Sequence, residues 1–235
     1  MLMPPLDQVP HMAMAHAAHH AFSARSISAK VHFVDKGQLN VPGFVQALQR
    51  SQADGEPVAV FGASFGFVHL LDGLKGARFA LPPGSLLLDG GGYKGRSREL
   101  SPAEFAQAIQ QAFGIPDDHW INVLGMTEMQ TAFADGVAVD RVAGRPPRRN
   151  KRGAPWSRTL VLSPETLEPL PEGQTGLLCH WSLANRSTAM AVLTDDLGAL
   201  DGEGFRMLGR AEGTEARGCS IAVDELLSAA ADVPA

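Results

Sequence analysis

Gly125-Met126-Thr127-Glu128 follows directly on the apolar run Trp120-Ile121-Asn122-Val123-Leu124. A strand that breaks at a glycine and then presents a hydroxyl and a carboxylate is equipped for chemistry on phosphates. Glycine lets the backbone turn sharply and lets a ligand come close. The Thr127 hydroxyl can bond a phosphate oxygen, and Glu128 can hold Mg²⁺ beside it. A second glycine loop, Gly90-Gly91-Gly92-Tyr93-Lys94, ends the apolar run Leu86-Leu87-Leu88. Ligands of open α/β sheets bind just beyond the carboxyl ends of the strands, so both loops are candidate binding elements.

Other reactive side chains are sparse. His16, His19 and His20 fall on one face of a helix, but no nearby cysteine or carboxylate completes a metal set, and a leading helix is the plainer reading. Cys179 and Cys219 are the two cysteines. That excludes a disulfide framework and a four-cysteine zinc site, and it suits the reducing cytoplasm. Arg210 and Arg217 could lower the pKa of Cys219 if they are near it in space, although most lone cysteines are small buried hydrophobes.

The elements that must carry these residues can be read from periodicity and punctuation. Residues 1–30, rich in Ala, His, Met and Pro, form a leading segment. Residues 30–34 read as a short strand, and 41–52 have helical spacing. Residues 57–61 form a buried strand that stops at Gly62, followed by an apolar helix over 64–74 and a strand at 86–88. Ser101-Pro102-Ala103-Glu104 is a capping box with proline at the first helical position. It opens a helix that ends at Gly114, and 120–124 is the next strand. Strand, helix, strand, helix, strand implies right-handed crossovers and a parallel sheet.

A run rich in arginine and proline, Arg145-Pro146-Pro147-Arg148-Arg149-Asn150-Lys151-Arg152, interrupts this order. A solvated loop over 138–157 is the favoured reading over a phosphate or nucleic-acid site. Strands then recur at 159–162, 176–181, 189–193 and 204–208, separated by turn-rich pieces at 169–173 and 195–204, and a helix over 223–231 closes the chain. The expected organisation is a leading segment (1–30), an α/β nucleotide-binding core (31–137), the basic loop (138–157) and a small antiparallel β subdomain (158–235).

Bulk properties exclude several classes. The 235 residues carry a net charge of −5, which gives no general attraction to nucleic acid or anionic membranes. No apolar stretch approaches the length of a membrane span. The first residues lack the basic region and apolar core of a secretory signal.

Four stretches stand in a telling order: Gly90-Gly91-Gly92-Tyr93-Lys94-Gly95-Arg96, Gly125-Met126-Thr127-Glu128, Thr194-Asp195-Asp196-Leu197-Gly198, and Gly209-Arg210 with Arg217-Gly218-Cys219-Ser220. Together they resemble the acyl-protein synthetase (LuxE-like) family, a branch of the adenylate-forming enzymes. The resemblance covers roughly 31–227. It implies an α/β fold with a partly parallel sheet and flanking helices, followed by a small antiparallel β subdomain. It also implies ATP and Mg²⁺ as cofactors, a carboxylic (fatty) acid as substrate, an acyl-adenylate intermediate, and transfer of the acyl group to a thiol, for example on an acceptor protein. Residue by residue, Thr127 would touch phosphate and Glu128 would hold Mg²⁺. Asp196 would grip the ribose, and Arg210 would reach the sugar or phosphate. Gly90, Gly91 and Gly92 would lie against the adenine, with Gly125 and Met126 lining the nucleotide. The residues' own alternatives are a helix cap for Glu128, a turn position for Asp196 and a surface ion pair for Arg210.

The likeness is to the second half of such a synthetase. A Ser/Thr/Gly-rich phosphate loop is not found before residue 31. Leu124 stands where the family carries a tyrosine that stacks on adenine, and a lid domain is not expected within these 235 residues. The expectation is therefore a truncated or partial enzyme, with a complementing chain as one way to complete it. The alternative is a non-catalytic remnant that binds a nucleotide or a partner.

Overall fold

The computed structural model describes residues 1–23, 30–92 and 97–211. The chain divides into two compact units, Met1–Ile121 and Asn122–Arg217. Tyr93, Lys94, Gly95, Arg96, Arg217, Gly218, Cys219, Ser220 and the helix expected over 223–231 lie outside the described residues.

In the first unit, α1 (Ala13–Ser23) buries Ala15 and Ala18 against Met3, Val9, Met12, Ala63 and Phe65. A hairpin follows, β1 (Val34–Asp35) and β2 (Gln38–Leu39). The strand expected at 30–34 is thus cut to two residues and shifted. Lys36 (φ 45°) and Gly37 (φ 77°) make the tight turn, the pair of positive φ values that two-residue hairpins favour. Asn40 then leaves the ladder to cap the next helix, its side chain accepting from Gly43 N–H at 2.9 Å. That helix, α2 (Val41–Asp54), closes on Gly55 in the left-handed conformation.

β3 (Ala59–Ala63) passes directly into α3 (Ser64–Leu74), and β4 (Leu86–Gly90) lies parallel to β3, from Ala59 opposite Leu86 to Ala63 opposite Gly90. β3 runs through Gly62 instead of stopping there. A Cβ at Gly62 would come within 2.6 Å of Leu2 Cβ, so glycine lets residue 2 lie on the strand, where Leu2 N–H donates to Phe61 O at 2.7 Å. α4 (Pro102–Phe113) has the expected capping box between Ser101 and Glu104 and ends on Gly114 at φ 63°. Phe44, Phe67, Leu70, Leu87, Phe105, Ile109, Phe113 and Trp120 form the core of this unit. These large, mostly aromatic side chains explain how helices with little charge in their first and last turns are held, since packing of one face outweighs helix propensity.

β5 (Trp120–Leu124) matches its expected bounds. In the second unit the strand order is β5, β6 (Phe133–Asp135), β7 (Lys151–Arg152), β11 (Gly204–Arg210), β10 (Ala191–Asp201), β9 (Gly176–Ser182) and β8 (Ser157–Leu162). Every neighbouring pair in this series is antiparallel. Met129, Phe133, Val161, Leu178 and Phe205 are buried together in its core. The fold class is therefore the expected one: a partly parallel sheet with flanking helices, then antiparallel strands.

Two readings of this half need correction. The turn expected over 195–204 shrinks to Gly202 and Glu203, because β10 continues to Asp201. Thr194 makes this possible. Its hydroxyl donates to Leu178 O at 2.8 Å and accepts from Asp196 N–H at 3.2 Å. These side-chain bonds stand in for ladder bonds where the pairing with β9 slips between Leu193 and Leu197. The run 138–157 is a solvated loop only in part. α5 (Val137–Val142) runs into it and β7 lies within it, and residues 142–148 are exposed, while Arg145, Arg149, Lys151 and Arg152 pair with carboxylates. Lys151 Nζ lies 2.8 Å from Asp135 Oδ1, Arg149 Nη1 is 2.9 Å from Asp135 Oδ2, and Arg152 and Arg145 both reach Asp140 Oδ1. Burial raises the pKa of Asp140, but hydrogen bonds and charge from Arg152, the Arg148 N–H and the charge of Arg145 outweigh it and hold the carboxyl below its usual range.

Candidate functional site

The glycine loop after β4 is held from beneath. Asp89 is 2% exposed. Its Oδ2 accepts from the Ser64 hydroxyl at 2.6 Å, and its Oδ1 from the Trp120 indole N–H at 2.7 Å. Ser64 Oγ is also 3.0 Å from Gly91 O, but a hydroxyl has one proton and the charged carboxylate is the stronger acceptor. Ser64 comes straight out of β3 into α3, so the parallel register that puts Ala63 opposite Gly90 also puts this hydroxyl under the loop. Gly91 has φ 75°. Beyond it, none of the described residues lies within 4 Å of where a Gly92 Cβ would stand.

The second unit carries Gly125, Met126, Thr127, Glu128, Asp196 and Arg210. After β5 the chain makes a turn at Thr127 and Glu128, with Met129 N–H bonded to Met126 O at 3.3 Å. No helix starts here, so Glu128 is not a helix cap. Thr127 and Glu128 are exposed, whereas Met129 is 7% exposed and buried in the core. The turn thus has an apolar peg on one side and an alcohol and a carboxylate on the other. Met126 packs partly against the same core.

Asn185, which sequence reasoning did not single out, fixes this turn. Its Nδ2 donates to Glu128 O at 2.7 Å and to Ala189 O at 3.0 Å, and its Oδ1 accepts from Gln130 N–H at 2.8 Å. The side chain therefore bonds the backbone on both sides of Met129. Thr131, Ser182 and Trp156 continue the tether, with Thr131 Oγ1 2.9 Å from Ser182 Oγ and accepting from the Trp156 indole at 3.2 Å. Asn185 sits in the polar run Ala184-Asn185-Arg186-Ser187-Thr188, which by composition reads as an ordinary turn. No local signal marks it.

Asp196 and Arg210 are directly opposite one another in the β10–β11 pairing, and Arg210 Nε donates to Asp196 Oδ1 at 3.2 Å. Asp196 is neither a turn residue nor exposed, since its side chain is 9% accessible against 40% for Arg210. The pairing shifts by one residue between Leu197 and Gly198. A Cβ at Gly198 would come within 2.5 Å of Arg206 O, so glycine is required where the strands close behind the pair.

The root of the turn is equally well held. Lys151, 7% exposed, donates from Nζ to Asn122 O at 2.9 Å as well as to the Asn122 side chain and Asp135. Asn122 N–H donates to Asp135 Oδ2 at 3.0 Å. The buried ion pair and the strand thus satisfy each other's polar groups three residues before Gly125.

Among the described residues, no group of three or more His, Cys, Asp and Glu gathers to hold a metal. That includes the leading histidines, where His16 Nε2 instead meets Pro10 O at 2.7 Å. One exposed carboxylate beside an exposed hydroxyl still fits Mg²⁺, which keeps several waters and takes phosphate oxygens as ligands. Cys179 is buried in β9, and desolvation raises its pKa, so it is a poor nucleophile. No helix of the described residues is long and apolar enough to cross a membrane.

A β-strand ending in an exposed Thr-Glu turn, with an Asp–Arg pair across an antiparallel ribbon, occurs here in a fold shared with adenylate-forming enzymes. The luciferase-like enzyme of the nonluminescent mealworm Zophobas morio matches with a TM-score of 0.58 at 16% identity, over 87% of this chain and 47% of that one. ATP-bound MatB from Rhodopseudomonas palustris matches with a TM-score of 0.53 at 17% identity, over 82% and 38%.

The chain belongs to the acyl-protein synthetase, LuxE family, which it matches over residues 10–228. The long-chain-fatty-acid–luciferin-component ligase of Vibrio harveyi is 24% identical over 212 residues, 85% of this chain and 53% of that protein. The ligase of the same name from Aliivibrio fischeri is 25% identical over 170 residues, 70% and 42%. The chain spans about half the length of the curated relatives it matches.

Proposed function

We propose that this chain is the nucleotide-binding part of a cytoplasmic ligase that activates a carboxylic acid with ATP and passes the acyl group to a thiol. The observation that carries the reading is the Asp196–Arg210 pair, at 3.2 Å across β10 and β11, in the same unit as the Thr127-Glu128 turn. Family membership supports reading that pair as part of acyl-adenylate chemistry. The names of the Vibrio harveyi and Aliivibrio fischeri relatives support a long-chain fatty acid as the substrate.

In this reading the acid's carboxylate oxygen attacks the α-phosphorus of ATP. A new P–O bond forms as the bond to the bridging oxygen breaks, giving acyl-adenylate and pyrophosphate. A thiolate then attacks the acyl carbon, and AMP leaves with the electron pair of the mixed anhydride bond. Activation is needed because a free carboxylate has no good leaving group. Asp196 accepts from the ribose hydroxyls. Among the described residues its side chain takes one hydrogen bond, from Arg210, and a carboxylate can accept about four. Arg210 orients that carboxylate, and its charge would lie beside the sugar and α-phosphate. Thr127 donates to a phosphate oxygen. Glu128 would hold Mg²⁺, which neutralises charge building on the departing pyrophosphate. Gly90, Gly91 and Gly92 would face the adenine, and Gly125 and Met126 would line the nucleotide without obstructing it. The acceptor thiol would be on a separate molecule, such as an acyl-acceptor protein.

Calorimetry with AMP and with ATP plus Mg²⁺ tests the nucleotide part. Binding by the wild-type chain that is lost in Asp196→Ala supports it, and equal binding by both removes Asp196 from the site. Pyrophosphate exchange with long-chain acids tests the chemistry, with the chain alone and with added partner chains.

A further inference from the structure

We propose that Asn185 is the positioning residue that aims Glu128 at the metal–phosphate group of a bound nucleotide. The inference rests on the nucleotide reading above and adds a residue outside the motifs that carry it.

The geometry has three parts. Asn185 is 2% exposed, so its amide sits where no water can replace a lost bond, and a broken partner there stays broken. Its bonds go to Glu128 O at 2.7 Å and Gln130 N–H at 2.8 Å. These are two backbone groups of a short turn, reached across 57 and 55 residues of sequence. Nδ2 spends its other proton on Ala189 O at 3.0 Å, which ties the asparagine to its own loop. The third part is Met129, buried between the two bonded groups. The peg sets the depth of the turn, and the amide sets its rotation about the peg. Rotation is what decides where the exposed Glu128 carboxylate points.

A backbone turn without regular secondary structure would otherwise sample several orientations, since ordering its residues costs conformational entropy. Held by two hydrogen bonds, the carboxylate is placed before the ligand arrives. A ligand that needs the carboxylate then gains affinity through preorganisation. A ligand that touches only the ribose side of the site does not depend on Asn185. Thus Asn185 should govern the gain in ATP affinity that Mg²⁺ confers, and leave Mg²⁺-free AMP binding at Asp196 alone.

The test uses the 235-residue chain with Asn185→Leu, which is close in size and cannot hydrogen-bond, and Asn185→Asp. The ionised aspartate keeps the acceptor for Gln130 N–H but turns a negative oxygen toward Glu128 O. Affinity for AMP without Mg²⁺, and for ATP with and without Mg²⁺, is measured at pH 8.5, with hydrogen exchange across 126–131.

Expected for Asn185→Leu are AMP affinity within twofold of wild type, a Mg²⁺-dependent gain in ATP affinity cut at least tenfold, and faster exchange at Gln130. Expected for Asn185→Asp at pH 8.5 is the same split, AMP affinity within twofold of wild type and the Mg²⁺-dependent gain cut at least tenfold, whereas a merely loosened fold would weaken both nucleotides. If Asn185→Leu does not fold, Asn185→Asp alone decides by that split. Wild-type-like Mg²⁺ gain in both variants overturns the role of Asn185 while leaving the nucleotide reading intact. No nucleotide binding by the wild-type chain overturns both.

Discussion

Asp196 and Arg210 meet as direct cross-strand partners, carboxylate to guanidinium Nε at 3.2 Å, with the aspartate almost buried and the arginine partly open to solvent. Opposite charges facing one another across an antiparallel ribbon stabilise it by a few tenths to about 1 kcal/mol. That is too little to account for burying a carboxylate at a strand slip. On the proposed reading, a nucleotide ribose shares the carboxylate.

Asp196→Ala should therefore cost far more in nucleotide affinity than in stability. Hydrogen bonds to a charged acceptor are worth about 1.5–3 kcal/mol each, so losing one or two weakens AMP binding by roughly tenfold to several hundredfold or more. Calorimetry reads the affinity, and urea unfolding reads the stability. A variant that binds normally but unfolds early would make Asp196 purely structural.

Glu128→Gln should separate metal dependence from folding. Glu128 is exposed on its turn, and surface substitutions usually change stability by no more than about 0.5 kcal/mol. The thermal midpoint should be unchanged, while Mg²⁺ should no longer strengthen ATP binding. Retained enhancement by Mg²⁺ would place the ion elsewhere.

Acid should unfold the second unit through His180. This imidazole is 0% exposed, is flanked by Phe133 and Phe205 at 4.6 and 5.2 Å, and finds no partner for Nε2 among the described residues. Desolvation lowers its pKa from 6.5 to about 4. Between those values the unfolded chain binds a proton that the folded chain refuses, so stability rises with pH there. It is fully present above pH 6.5 and falls by about 1.4 kcal/mol per pH unit on the way down to about 4. His180→Leu should flatten that slope in urea titrations between pH 5 and 7.5. An unaltered slope would assign the acid sensitivity to another group.

Lys151→Met should strand a buried charge. Asp135 and Lys151 side chains are 4% and 8% exposed and 2.8 Å apart. Breaking a buried pair from one side costs about 3–5 kcal/mol. Arg149 and the Asn122 N–H still serve Asp135, which puts the expected loss at about 3 kcal/mol. A loss below about 1 kcal/mol in urea unfolding would show that the network contributes little to the strand that carries the Thr127-Glu128 turn.

Much of the local structure was legible in the chain. The capping box at Ser101 and Glu104, the span of α3, and β5 from Trp120 to Leu124 all follow from signals a few residues long. Where the reading slipped, a distant partner overrode the local signal. Gly62 looked like a strand end until Leu2 lay against it. The stretch at 195–204 has turn composition, yet β9 and β11 on either side of it, with the Thr194 hydroxyl filling the slip, keep all but Gly202 and Glu203 in strand.

Local residue patterns were enough for most of the periodic elements, the fold class and the motif order that resembles the family. Those depend on residue types close together along the chain, where hydrogen-bond reach and side-chain period act directly. Tertiary structure alone decided that Asp196 meets Arg210, that Arg149, Lys151 and Arg152 turn inward to Asp135 and Asp140, and that Asn185 clasps a turn 57 residues away. A charge or an amide looks the same in sequence whether it faces water or a buried partner. Only burial raises the cost of leaving it unpaired, and burial is a property of the folded chain.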